Sequence, residues 1–471
     1  MPTQTPPASD SAANTTAPVT PNSPSMTVDA PARSPRQRWI QDTLFFGNEP
    51  SLELTAILLV YFVQGVLGLA RLAVSFFLKD DLGLNPAEAA ALMGLSMFPW
   101  TVKPLFGFLS DGLPLGGYRR RSYLVLSGLL GVASLAALGT LVDRPWTAGL
   151  AITLSSLSLA ISDVIADSLV VERARTESLS TTGSLQSLCW GTAALGGLIT
   201  AYFSGYLLEV VSTQTVFLIT AAFPLLVAVA AVIIEEHPVQ TGISVTVVKE
   251  QLVSLKRALS QRAIWFPTLF LFLWQATPNS QSAFFYFTTN DLGFAPEFLG
   301  RVQLVTKFAA LVGIWLFNRY FKAVPFRKIF TWAAVLSTLL GLTTLLLVTH
   351  ANRSLGISDQ WFSLGDSLVL TVAGEIAYMP VLVLAARLCP PGIEATLFAL
   401  LMSVCNLSYL ASTELGAVLT HWLGVTDTDF TNLWLLTLIT SLSTLLPLPL
   451  VRFLPETTAQ GKIPSLDASN S

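Results

Sequence analysis

The chain has 471 residues, of which 52% are hydrophobic and 12% charged, and its mean hydropathy is +0.62. A soluble chain carries about 25% charged residues, so the composition argues against a water-soluble enzyme. The net charge of −3 gives no support to a nucleic-acid partner, which would call for a basic surface. Cys189, Cys389 and Cys405 sit in or beside apolar runs, and His237, His350 and His421 are scattered singly. Neither set has metal-ligand spacing, so no metal, cofactor or disulfide framework is predicted.

Residues 1–45 are rich in Pro, Ser, Thr and Ala and poor in large apolar residues. Such a stretch cannot offset its ordering entropy, so a disordered cytoplasmic tail is expected. It lacks the apolar core of a secretory signal peptide. A plastid transit peptide is the alternative, because the stretch is Ser-rich and its acids are few, Asp10, Asp29 and Asp42.

From residue 46 onward the chain reads as membrane-crossing helices, each needing about 20 apolar residues. Twelve runs qualify: 52–78, 87–110, 122–142, 147–172, 184–208, 214–234, 263–289, 296–318, 327–349, 362–387, 394–420 and 430–453. The polar interval 235–262 splits them six and six. The reading is therefore an all-α membrane protein with twelve transmembrane helices in two six-helix pseudo-repeats. Its N-terminal bundle is 46–234, its cytoplasmic linker 235–262 and its C-terminal bundle 263–455, with a disordered tail over 456–471.

Orientation follows from the loop Lys and Arg residues. With the N-terminus inside, 19 of the 26 basic residues fall on the cytoplasmic side, and only Lys79, Arg144 and Arg353 fall outside. Arg71, Lys103, Arg301 and Lys307 lie within spans. Both termini are thus expected in the cytoplasm, in a plasma (inner) membrane, with a plastid envelope as the alternative.

The junction after the second run reads Gly107-Phe-Leu-Ser-Asp111, then Tyr118-Arg119-Arg120-Arg121. The junction after the eighth run, Gly313 to Asn318-Arg319 and Arg327-Lys328, has the same plan. Asp111 ends a helix where the dipole disfavours an acid, so it is expected to pair with the arginine cluster. Gly107 allows close helix approach. Together Gly107, Asp111, Arg119, Arg120 and Arg121 form a candidate gating clamp. Asn318 replaces the acid in the second half, so a symmetric clamp is not expected.

This loop resembles the signature of the major facilitator superfamily. Phe98-Pro99-Trp100-Thr-Val-Lys103-Pro104 resembles its folate–biopterin transporter branch, as does Ser162-Asp163-Val-Ile-Ala166-Asp167 followed by Glu172-Arg173-Ala-Arg175. The resemblance covers roughly residues 50 to 455. It implies the major facilitator fold and carriage of folates or pterins by alternating access.

A charge at bilayer depth costs at least about 2.5 kcal/mol on the insertion scale, so each should face the bundle interior with a partner or water. The bases are those named above; the acids are Asp163, Asp167, Glu375 and Glu414, with Asp366 nearer the outer end. Asp163 and Asp167 share one helix face. Two uses remain open for them: proton carriage, or pairing with a base such as Arg71 or Lys103. Glu375 and Lys307 are their rough counterparts in the second half. Arg301 and Glu414 lie close enough to the outer ends to snorkel.

Pro278 is expected to kink or break the seventh run beside Gln275, Asn279 and several aromatics. Tyr378-Met379-Pro380 repeats that theme in the tenth run. The candidate substrate-binding or coupling residues are Gln64, Arg71, Lys103, Asp163, Asp167, Gln275, Asn279, Lys307 and Glu375. Expected partners are a folate or pterin, protons and the lipid bilayer, with the chain acting as a monomer. Another heteroaromatic or zwitterionic metabolite is the alternative cargo. A membrane-embedded enzyme is the remote alternative, because the histidines are isolated.

Overall fold

Local capping starts several of the long helices. Ser51 accepts from the Leu54 N–H at 3.1 Å and opens α1 (Leu52–Val66). Asn85 and Glu88 form a reciprocal capping box on α3 (Pro86–Leu95), with Pro86 in its first turn. Ser212 caps α9 (Thr213–Ile233) in the same way. A computed structural model describes residues 48–176, 179–238, 261–321, 323–388 and 394–454, together with residues 41, 45 and 253. Most of the two expected tails, most of the linker and Cys389 lie outside the described residues.

The first half continues with α2 (Leu69–Phe76), α4 (Phe98–Thr101), α5 (Lys103–Gly112), α6 (Arg121–Thr140), α7 (Pro145–Thr176) and α8 (Leu179–Val210). The second half holds α10 (Arg262–Gln275), α11 (Gln281–Tyr286), α12 (Pro296–Leu316), α13 (Phe326–Val348), α14 (Ala351–Ser354), α15 (Asp359–Arg387), α16 (Glu394–Trp422) and α17 (Leu433–Ser443). Among the described residues every regular element is a helix, apart from one isolated bridge between Leu115 and Tyr118. Among the described residues, ten helices are long and apolar enough to cross a membrane.

The runs 87–110 and 263–289 are interrupted. The first is assembled from α3, α4 and α5, with Pro99 and Pro104 at the joints. The second breaks between α10 and α11, where Pro278 removes a backbone donor. The expectation for Tyr378–Pro380 needs correction: Pro380 lies inside α15, which runs unbroken from Asp359 to Arg387. One missing donor is tolerated there because the rest of the ladder persists.

The ends of the first and seventh runs share a geometry that the sequence reading overlooked. Phe77–Asp81 and Phe287–Asp291 are both π-helical. Each is followed by Leu-Gly at positive φ (Gly83 61°, Gly293 66°) and then by Pro86 or Pro296 at the next helix start. Only glycine takes that backbone at little cost. These corners define the far face. The near face carries Asn48, Leu454 and the loop from Asp111 to Arg121.

Within each half, helices meet through small residues. A Cβ on Gly128 of α6 would lie 2.7 Å from the Pro224 carbonyl oxygen of α9, and one on Gly341 of α13 would lie 2.8 Å from Ser441 Oγ of α17. Such backbone proximity is how apolar helices associate where lipid removes the hydrophobic drive. Between halves, α8 meets α12 with Gly205 against Gly300, and α16 lies along α3. The far face is closed by these contacts. Tyr286 Oη donates to the Leu84 carbonyl at 2.7 Å, Lys79 Nζ donates to Asn290 Oδ1 at 2.8 Å, and the Phe76 and Phe285 rings meet edge-on at 5.2 Å.

Gly128→Ala is expected to destabilise the first bundle by about 1–3 kcal/mol through overpacking against α9. Thermal unfolding of the detergent-solubilised chain measures this, and an unchanged midpoint would contradict it.

Candidate functional site

The charged residues of the first half are set by α5 and α7. Lys103 begins α5 just after the Pro99–Val102 break, and its ammonium ion-pairs with Asp163 of α7. It also lies 4.9 Å from the Trp100 ring centroid, over the ring. Trp100 is in turn fixed by its indole N–H to Ser156 Oγ at 3.0 Å, and its carbonyl accepts from Asn406 of α16 at 3.0 Å. The Lys103 and Asp163 side chains are 22% and 17% exposed, so the pair is largely withdrawn from solvent.

Asp167, one turn further along α7, accepts from Tyr61 Oη at 2.5 Å. The two acids are therefore answered differently, one by a base and one by a phenol. Of the two bases open to Asp163 in the sequence reading, Lys103 is the partner and Arg71 is not.

Gln64 and Gln275 occupy matching places, each shortly before the break in its run. The side-chain amide nitrogen of each is buried; that of Gln64 has no hydrogen-bond partner, and that of Gln275 faces only the weakly accepting sulfur of Cys405. A buried donor without a strong acceptor is costly, so these two atoms are suited to a ligand acceptor. Asn279 is engaged elsewhere. Its amide donates to Ser412 and Thr413 of α16, and its backbone oxygen lies against Gly416, so it ties the broken helix to α16.

Arg71 on α2 and Lys307 on α12 are both exposed, and no hydrogen bond or ion pair of their cationic groups is found among the described residues. Lys307 lies within electrostatic reach of both Arg71 and Glu375. Glu375 of α15 packs against Gly313 of α12. Arg301, expected to snorkel, pairs with Glu297 one turn before it. Asp366 accepts from the Thr343 and Thr344 hydroxyls at 2.6 and 2.8 Å.

At the near face, one arginine of the cluster reaches Asp111. Arg120 donates to Asp111 at 2.7 Å, to Glu172 at 2.7 and 3.1 Å, and to Ser110 Oγ at 2.7 Å. Burial works against the Arg120 charge, but the Glu172 and Asp111 interactions outweigh it and hold its pKa above the ordinary guanidinium value. Arg121 lies over the Tyr118 ring, 5.6 Å away, and the Arg119 Nε is buried without a partner. Gly107 sits 3.7 Å from Val164, measured from where a Cβ would stand. In the second half Asn318 bonds its own helix at Ile314, and Arg327 donates to the Leu454 carbonyl.

Sequence reasoning missed Tyr61, Glu172 and Glu236 as parts of this machinery. The Glu236 carboxylate accepts the backbone N–H groups of Arg119, Arg120 and Arg121 and so closes the start of α6. Glu172 was visible beside the second motif. Glu236 carried no signal beyond being a loop acid.

The sequence pattern of the BT1 family matches residues 64–468. The chain belongs to the BT1 family. It is 60% identical over 429 residues to the "Folate-biopterin transporter" of Synechocystis sp., covering 91% of this chain and 87% of that protein. It is 34% identical to "Probable folate-biopterin transporter 2" of Arabidopsis thaliana, covering 83% and 80%. Among solved structures it resembles a D-xylose-proton symporter (TM-score 0.64, 15% identity, 86% and 99% covered). It also resembles the nucleoside transporter NupG (TM-score 0.65, 14% identity, 86% and 98% covered). At those identities the likeness is one of fold, and this BT1 family member has the major facilitator fold.

Lys103→Met leaves Asp163 without its base. A loss of about 2–4 kcal/mol of stability is expected, below the full buried-pair cost because both side chains keep some solvent. Adding Asp163→Asn should restore most of it in a thermal melt. A double variant no more stable than the single would refute the pairing. For the near-face clamp, Arg120→Gln and Glu172→Gln should show a coupling energy of about 0.5–3 kcal/mol in a double-mutant cycle, and additive losses would mean no direct interaction.

Proposed function

We propose that this chain is a secondary active transporter that moves folates and pterins across the plasma membrane by alternating access, driven by a proton gradient. It acts as a monomer, with the near face and both termini in the cytoplasm. The two bundles, 46–234 and 263–455, rock about the cargo site between them.

The single observation that carries the reading is the pair Arg71 and Lys307. Two cationic side chains, one from each half, are held within the spans with no acid in contact. Exposed and with no protein acid in contact, they are free to pair with an anion that enters between the halves. A folate tail supplies two carboxylates, enough to answer both cations and bridge the halves. The buried amides of Gln64 and Gln275 suit the acceptor edge of a pterin, and Trp100 and Trp274 offer faces for ring stacking. The carboxylates of Asp163 and Glu375 suit its aminopyrimidine donors. Asp163, Asp167 and Glu375 are the candidate proton carriers.

The relatives' names support the cargo class, and the arginine-rich near-face loops support the orientation by the positive-inside rule. The absence of a phosphate-binding loop from the sequence fits a gradient-driven carrier.

Purified chain in proteoliposomes, supplied with labelled folate and labelled biopterin, tests the reading. Arg71→Gln and Lys307→Gln are each expected to raise the KM for folate about tenfold, about 1.4 kcal/mol. The KM for biopterin, which has no carboxylate tail, should move far less. Equal effects on both substrates would remove these residues from tail recognition. Accumulation of folate that ignored an imposed pH gradient would remove the proton from the mechanism.

A further inference from the structure

One acid within the spans takes no part in the site above. Glu414 lies on α16 in its far half, and its carboxyl oxygen packs directly against Gly94 of α3. These helices belong to opposite bundles, so the contact lies on the seam that must part when the far face opens. Gly94 is buried, and its lack of a side chain is what admits the carboxyl; a Cβ there would collide with Glu414 Oε1 and Cδ.

No hydrogen bond or ion pair to the Glu414 carboxyl is found among the described residues. Charged groups on the neighbouring elements are engaged elsewhere or lie apart. Glu88 of α3 is held in its own capping box, Lys103 of α5 is paired with Asp163, and Asp111 of α5 with Arg120. Asp366 of α15 is bound by Thr343 and Thr344, and Glu375 of α15 packs at Gly313. On α16 itself, Tyr409 reaches Gln281, and His421 lies at the last turn. The α4, α11 and α17 segments carry no charged side chain, and α10, which also packs on α16, carries only Arg262 at its near-face start. Seating α16 on α3 therefore removes part of the water around a half-buried carboxyl and offers it no base.

We propose that Glu414 is a proton-gated latch on the inter-bundle seam. The far face closes with this carboxyl neutral, taking up one proton from the far side, and reopening returns that proton to the same side. The ionised form resists seating because its lost hydration has no replacement. The proton neither crosses the membrane at this residue nor substitutes for the coupling protons. The latch sets the pH at which the empty or loaded carrier can close. It rests on the alternating-access reading above but not on the identity of the cargo.

The full chain in proteoliposomes tests this, with Cys189, Cys389 and Cys405 each replaced by Ser. Spin labels at Asp143→Cys and Ser354→Cys, exposed far-face positions in opposite halves, report the far-face distance between about pH 8 and about pH 4. The wild type is expected to shift to the short-distance population as pH falls. Glu414→Gln should stay in the short population across that range. A pH response in Glu414→Gln equal to the wild type's, or a wild type with none, overturns the latch. Folate and biopterin uptake is measured on the same vesicles. If the distances behave as expected but neither compound is carried, the cargo reading fails and the latch stands. If uptake proceeds but Glu414→Gln titrates like wild type, the latch fails and the cargo reading stands.

Discussion

Charge placed in hydrocarbon must be answered, and the ionisable residues here differ in whether a partner lies within their own half. Lys103 with Asp163, Tyr61 with Asp167, and the two threonines with Asp366 are settled inside one half. Those groups can stay together through any rigid-body motion. Arg71, Lys307, Glu375 and Glu414 have no such contact partner among the described residues. Lys307 and Glu414 sit on α12 and α16, the helices that pack across the seam. Unmet charge at a seam has a natural use, because cargo or protons can meet it in one arrangement and leave it in another.

The near-face network explains how a half can move as a unit. Arg120, Asp111, Glu172, Ser110 and Glu236 lie at the near-face ends of the second, third, fourth and sixth runs. The network ties the loop after α5, the end of α7, the start of α6 and the segment after α9 into one body. Asp111 is 61% exposed and Arg120 only 10%, so the guanidinium is the buried hub and the acids are its rim. Domain motions of this kind proceed by rotation of packed bodies about an interface, and rigid bodies make that motion discrete.

Much of this was legible before any fold was known. Apolar run length located the long helices, Pro278 located the break in the seventh run, and charge bias separated the two faces. The choice between Arg71 and Lys103 for Asp163 was not legible, because helix neighbours in a bundle are not written in local pattern. Tyr61 sits in an aromatic and aliphatic run, where a phenol looks like packing until the facing acid is known. Pro380 misled because a proline signals a lost hydrogen bond, and whether the helix breaks depends on its neighbours. The matching corners Asp81-Leu-Gly-Leu-Asn-Pro86 and Asp291-Leu-Gly-Phe-Ala-Pro296 were readable in the chain and are its clearest internal duplication.

Those corners put Phe76 in the place that Tyr286 holds in the other half. A true twofold pair makes every contact twice, yet the hydroxyl of Tyr286 reaches Leu84 while Phe76 has none to offer Phe294. The seal is one-handed. An isolated first half could not dock on a copy of itself through this bond, because donor and acceptor edge belong to different halves.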